Sequence, residues 1–249
     1  MTAPSGTRYQ APGTQPPLDL LVFGPHPDDI EIGLGATVAR HTAEGYRVGL
    51  IDLSEAELST NGTPATRRAE AENAARVLGV EFRENLGWPD GRMAPDPELV
   101  RSAVDAIRRR RPRTLAVPYW KDRHPDHVGA SEALTRAAFL SGLRRYESNG
   151  EPWRADWVCY YFINDGDRPS FVIDVSAHYE RKREALACYA SQFAPADAGA
   201  RATRLTAGTF RTLVESRDAQ FGALAGVAFA EGLVVREPVR RTTILKHVP

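Results

Sequence analysis

The chain has 249 residues, 42% apolar and 26% charged, which is enough for one large domain with a buried core. Lysine plus arginine number 32 and aspartate plus glutamate also 32, so the net charge gives no footing for nucleic acid or acidic membrane as partner. Two distant cysteines, Cys159 and Cys188, exclude a disulfide scaffold and a cysteine-rich zinc site and fit a reducing, cytoplasmic compartment.

Residues 1–17, "MTAPSGTRYQAPGTQPP", carry no apolar core and read as a flexible tail rather than a signal peptide. No apolar run reaches the roughly 18 residues of a membrane span. Residues 18–249 are expected to form a single domain. It opens on "LDLLVFG" (18–24), a continuous apolar run suited to a central strand covered on both faces. Ile30, Leu34, Val38 and Ala39 then recur at helical spacing up to Gly45, and "YRVGLIDLS" (46–54) is a second strand. After a polar loop, Thr63-Pro64 reads as an N-cap followed by proline at the first helical position, and Gly79 as the residue that ends that helix.

A short strand and turn follow in "VEFRENLGWPDG" (80–91), then a helix over 97–110 whose run Arg108 to Arg111 reads as a solvated end complementing the helix dipole. "TLAVPYW" (114–120) is another buried strand leading into a helix. Beyond Gly150 the pattern gives strands near 157–163 and 170–174, helices near 176–190 and 208–224, and a last strand near 231–236. The alternation predicts an α/β fold: a Rossmann-like, mostly parallel sheet flanked by helices, with a C-terminal elaboration. Such sheets bind ligands at the carboxyl ends of their strands.

Two acidic histidine motifs fall at such ends. "HPDD" (26–29) follows the first strand and "HPDH" (124–127) follows the strand ending near Trp120. Each alone is explained by the preference of Asp and Pro for turns and helix starts. Together they hold three of the six histidines and supply imidazole and carboxylate with no thiolate, the donor types of a catalytic zinc site. Each proline drives the preceding histidine toward an extended conformation, and Asp28 and Asp29 open a helix where the dipole favours ionised carboxylates.

"GPHPDDIEIGLGATVARH" with "PYWKDRHPDHVGASEAL" resembles the LmbE/PIG-L family of zinc-dependent N-deacetylases, which act on N-acetylglucosamine-type conjugates. The likeness extends over roughly residues 18–240. Through "GLIDLSEAELSTNGTPATRRAEAENAARVLGV" and "YASQF" (189–193) it is similar to the members that deacetylate N-acetylglucosaminyl-malate in bacillithiol biosynthesis. The resemblance implies His26, Asp29 and His127 as ligands of zinc, with iron, manganese or cobalt also accepted. It implies Asp28 as the base acting on water, His124 as oxyanion stabiliser or proton donor, and Asp126 as the group orienting His124. It further implies a homo-oligomer such as a hexamer.

For a malate-bearing amino sugar, Arg67 and Arg123 are the expected carboxylate contacts, and Ser59, Thr60 and Asn61 the expected partners of sugar hydroxyls. Trp120 is the aromatic best placed to stack on a sugar. Related enzymes carry a tyrosine where "LTAGTF" (205–210) sets Thr209 or Phe210, so the role of its hydroxyl is lost or moves to another residue here. Other readings keep the chemistry but change the conjugate to a mycothiol precursor or antibiotic glycoside. A more remote one, a non-catalytic dinucleotide-binding module, rests on Gly33, Gly35 and Asp52.

Overall fold

The computed structural model describes residues 16–195 and 199–240; residues 1–15 of the expected tail lie outside that range. Strands β1 (Leu20–Gly24), β2 (Val48–Asp52) and β3 (Phe82–Asn85) alternate with helices α1 (Asp29–Ala43), α2 (Pro64–Leu78) and α3 (Pro97–Arg110). Strand β4 (Thr114–Pro118), helix α4 (Pro125–Leu140) and strand β5 (Trp157–Tyr161) continue the pattern. β6 (Phe171–Asp174), α5 (Tyr179–Ala187), α6 (Ala190–Phe193), α7 (Gly208–Ala225) and β7 (Ala230–Val234) complete it. No described helix is long and apolar enough to cross a membrane.

The strands form one sheet in the order β3-β2-β1-β4-β5-β7-β6. The first five are parallel, as the continuous apolar runs require, and β7 pairs antiparallel with both β5 and β6. The chain runs outward from β1 to β3 and then restarts on the other side of β1 with β4. That reversal opens a crevice at the carboxyl ends of β1 and β4, the two strands that precede the histidine motifs. One apolar cluster lies under α3 and α4 and a second under α1, α2 and α5 to α7, so the sheet is covered on both faces.

Local signals explain most helix ends. Thr63 Oγ1 accepts from Thr66 N at 3.2 Å ahead of Pro64, and Gly79 adopts φ 70° after α2. Two expected elements differ. The basic run is not simply solvated: Arg108 is buried and donates to the carbonyls of Ser141, Leu143, Ser148 and Gly150, holding the loop after α4. The helix expected over 176–190 is a single 3₁₀ turn, α5 and α6, broken where the Tyr189 side chain drops into the core and reaches Glu31.

Helix α1 is itself interrupted at Leu34, whose φ of −136° is not helical. Beside the break, a Cβ on Gly33 would lie 2.3 Å from the Tyr161 ring and 2.7 Å from the Phe162 carbonyl. Gly35 lies against the buried Lys182 side chain. These glycines let α1 pack closely on β5 and α5. Asp52 is buried and paired with Arg83 at 2.7 and 2.8 Å. The dinucleotide reading is therefore overturned, because its glycines serve packing and its acidic residue already has a guanidinium partner. Gly33→Ala is expected to lower the melting temperature through overpacking of ~1–3 kcal/mol, measured by thermal unfolding; an unchanged transition would contradict this contact.

Candidate active site

At the carboxyl ends of β1 and β4 lies a cavity of about 500 Å³. Its lining includes His26, Asp28, Asp29, Asp90, His124, Asp126 and His127, so the two motifs meet across neighbouring strands. The polypeptide leaves β1 and turns sharply at Asp28, a non-glycine residue at φ 107°. Such a conformation costs of order 1–3 kcal/mol and persists only where the surroundings impose it. Here it caps α1 while the carboxylate of Asp29 turns back toward His26.

One oxygen, Asp29 Oδ2, is the hub. It lies 3.0 Å from His26 N, 3.1 Å from His26 Nδ1 and 3.2 Å from His127 Nε2. His26, Asp29 and His127 each offer a ligand atom within 4.8 Å of the others, and all three are buried. Two donors held at about 2.0–2.1 Å from a tetrahedral ion stand roughly 3.3 Å apart. The Asp29–histidine separations fit that edge, and an N,N,O donor set suits zinc or iron. The far nitrogen of each ring is also engaged: His127 Nδ1 faces Asp122 Oδ1 at 3.1 Å, and His26 Nε2 faces Asp90 Oδ1 at 3.0 Å. Carboxylates behind ligating imidazoles fix ring orientation and raise ligand basicity.

Burial opposes charge on His127, but Asp29 and Asp122 override it and push the imidazole up to about 9. Asp126, Asp29 and Asp90 likewise override burial at His26 and raise it. Burial would raise Asp29, yet the two imidazoles hold it far below the usual carboxylate range. Both rings must shed protons to ligate, so cation uptake releases protons and weakens in acid. Asp28 goes the other way: burial pushes its carboxyl up to about 7 against the pull of Arg67. His124 is lowered by burial and by the two neighbouring imidazoles.

Several expected contacts sit differently. Arg67 lines the cavity but is buried and already paired: its Nη2 reaches Asp28 Oδ2 at 3.1 Å and the Pro27 carbonyl, while its Nε and Nη1 have no hydrogen-bond partner among the described residues. The Asp126 carboxylate accepts from Gly91 N at 2.8 Å and Met93 N at 3.4 Å, so it does not hold His124. His124 is fixed instead by the Asp126 backbone N–H, which donates to Nδ1 at 3.2 Å as a helix cap. Asn61 is absent from the cavity lining because both ends of its amide are taken by Arg201 backbone, at 2.9 Å each. Ser59, Thr60 and Arg123 do line the cavity.

Trp120 is outside the lining and packs on Tyr119, Tyr160 and Arg236. Cys159 is buried as expected, whereas Cys188 is half-buried and donates to the Glu184 carbonyl. Of the two C-terminal candidates, Phe210 faces the cavity and Thr209 is exposed. Four contributors escaped the sequence reading. Asp90 lies in the "WPDG" turn beyond β3, Asp122 two residues before His124, Asn164 beyond β5 bonded to Asp122, and Arg204 on the cavity wall.

The family profile described as PIG-L, GlcNAc-PI de-N-acetylase, matches residues 21–138, which include both motifs. A conserved protein of Thermus thermophilus has a similar structure, with TM-score 0.83 and 38% identity, over 92% of this chain and 100% of that one. The diacetylchitobiose deacetylase of Thermococcus kodakarensis is 28% identical over 86% of this chain and 81% of its own length. A 1D-myo-inositol 2-acetamido-2-deoxy-alpha-D-glucopyranoside deacetylase of Saccharopolyspora erythraea is 29% identical over 67% of this chain and 81% of its own. With the paired motifs, the sheet that brings them together and these likenesses, the chain is similar to the PIG-L family over residues 21–138.

Proposed function

We propose that the protein is a metal-dependent hydrolase that removes the acetyl group from an N-acetylglucosamine conjugate. The observation that carries this reading is Asp28, a buried carboxylate outside the ligand triad that faces the same cavity. A divalent cation, zinc or iron, held by His26, Asp29 and His127 supplies a Lewis acid and acidifies water at an open position. Asp28 takes the proton from the attacking water, and a carboxyl raised toward 7 is matched to that task near neutral pH. Arg67 holds Asp28 in place. The Asp126 N–H on His124 Nδ1 leaves the neutral ring's proton on Nε2, the tautomer that can donate to a developing oxyanion. Acetate and a free amine are the products.

For the group attached to the amino sugar we propose an anion, with N-acetylglucosaminyl-malate as its representative. Arg123 and Arg204 support this: both are exposed on the cavity lining and have no ion pair among the described residues. Arg204 lies 5.4 Å above the Phe210 ring, so that position presents a guanidinium in place of a tyrosine hydroxyl. The names of the two curated relatives favour a neutral sugar or inositol partner instead. Steady-state hydrolysis of the malate conjugate, diacetylchitobiose and the inositol conjugate separates these readings. Arg123→Ala is expected to raise KM for the malate conjugate by about tenfold, as for a lost charge-assisted hydrogen bond, and to leave diacetylchitobiose unaffected. Equal kcat/KM on neutral and anionic conjugates would end the anionic assignment.

A further inference from the structure

The cavity at the ligand triad is not walled evenly. Its buried apolar side chains are Ile32, Ala56 and Phe210. Ala56 belongs to the loop whose exposed Leu58 and Thr60 form the rim, whereas Ile32 lies one turn beyond Asp29 and so on the same face of α1. Behind Ile32 and Phe210 runs a crevice that these two residues also line, together with Leu186, Phe193 and Val214. It offers about 10 Å³, at most the room of one water. Ile32 and Phe210 are therefore the partition between cavity and crevice.

The neighbours of the Phe210 ring divide the same way. Arg204, on the cavity wall, lies 5.4 Å from its centroid, and Phe193, on the crevice wall, stacks with it at 6.4 Å. The partition has little freedom to give. Phe210, Val214 and Arg217 lie along one face of α7. Arg217 donates from Nη2 to the Ile32 carbonyl at 2.9 Å and from Nη1 to the Ile163 carbonyl at 2.7 Å, which ties α7 to α1 beside the partition. At the half-exposed end of the crevice stand Arg183 and Glu215, paired at 3.1 Å.

An amide in this cavity has three polar positions to place. The incoming water lies at Asp28, the carbonyl oxygen at His124, and the nitrogen carries the sugar, the larger part, toward the mouth. The acyl methyl is left to the buried apolar surface, where removal from water favours it. We propose that Ile32 and Phe210 receive the acyl methyl, and that Phe210, by closing the crevice behind it, is the specificity-determining residue for acetyl over longer acyl groups. This rests on the deacetylase reading above. The reaction is the same for any acyl length: the amide C–N bond breaks and a C–O bond forms from water. Both protons of that water end on the amine, leaving an ammonium and a carboxylate.

The N-acetyl, N-propionyl and N-butyryl forms of glucosaminyl-malate and of chitobiose, assayed with the zinc-loaded holoenzyme, test this. In the wild type each added methylene is expected to lower kcat/KM by about 10–200-fold, the worth of one methylene in an apolar pocket. Phe210→Ala joins the crevice to the cavity and is expected to raise the butyryl-to-acetyl ratio of kcat/KM by at least about tenfold. Adding Val214→Phe, which refills the crevice from outside the cavity lining, is expected to restore the wild-type ratio. Each ratio is taken within one conjugate, so changes at Arg204 or in metal content cancel. A wild type that takes butyryl as readily as acetyl, a ratio unmoved in Phe210→Ala, or one that Val214→Phe leaves high overturns the proposal. Should the alanine variant not fold, Phe210→Leu is expected to shift the ratio in the same direction, and no shift there overturns it equally. Hydrolysis of none of the forms by the wild type would instead refute the deacetylase reading, and this assignment with it.

Discussion

Asp28→Asn lowers kcat by on the order of 10²–10⁴-fold, the range for loss of a positioned general base, while the bound metal stays at the wild-type level. Among the described residues no hydrogen bond links its side chain to His26 or His127, and its carboxylate is paired with Arg67. Asparagine is the informative replacement, because it tolerates the left-handed backbone at φ 107° and keeps the side-chain shape. Asparagine and alanine both remove the counter-charge of the buried Arg67 guanidinium, but asparagine keeps an Oδ1 acceptor for it, whereas alanine leaves neither charge nor acceptor, a loss of roughly 3–5 kcal/mol for a broken buried pair. A low kcat in the asparagine variant with normal metal content and normal unfolding isolates the chemical role. Retained kcat would remove Asp28 from the mechanism.

Asp29→Ala gives the other large effect, in which metal binding and activity disappear together. Its Oδ2 is the single oxygen that both ligand imidazoles face, so its removal takes away the anionic donor and leaves two rings crowded by their own charge. The loss of affinity is expected to exceed the ~10–100-fold that outer-shell changes cost. Asp122→Asn, which alters only the partner of His127 Nδ1, is expected within that smaller range. Metal content after exhaustive dialysis checks the order of the two variants. A normal metal complement in Asp29→Ala would refute the ligand triad.

The parts of this site that can be read from sequence are those that local chain geometry delivers. HPDD and HPDH follow strands directly, and a parallel sheet brings the ends of adjacent strands together, so the meeting of the two motifs was legible before any tertiary contact was known, while the choice of His26, Asp29 and His127 as ligands and Asp28 as base came from the family resemblance. What depends on contacts between distant segments was not. Asp90 reaches His26 from a turn 64 residues away, and nothing in "WPDG" distinguishes it from an ordinary turn former. Asn61 looked like a sugar contact because polar loop residues favour both roles, yet its amide is committed to Arg201 across 140 residues. The fold shows the same division. Strands and capped helices followed their signals, whereas the break in α1 arises from Gly33 meeting Tyr161, a contact that helical spacing cannot reveal.

The measurement that bears most directly on the central claim is acetate release from N-acetylglucosamine conjugates by metal-stripped protein before and after reloading with zinc or iron. The account expects no turnover when stripped, and equal amounts of acetate and free amine when reloaded, from at least one conjugate. Full occupancy of the His26, Asp29 and His127 site with no acetate from any conjugate would contradict it.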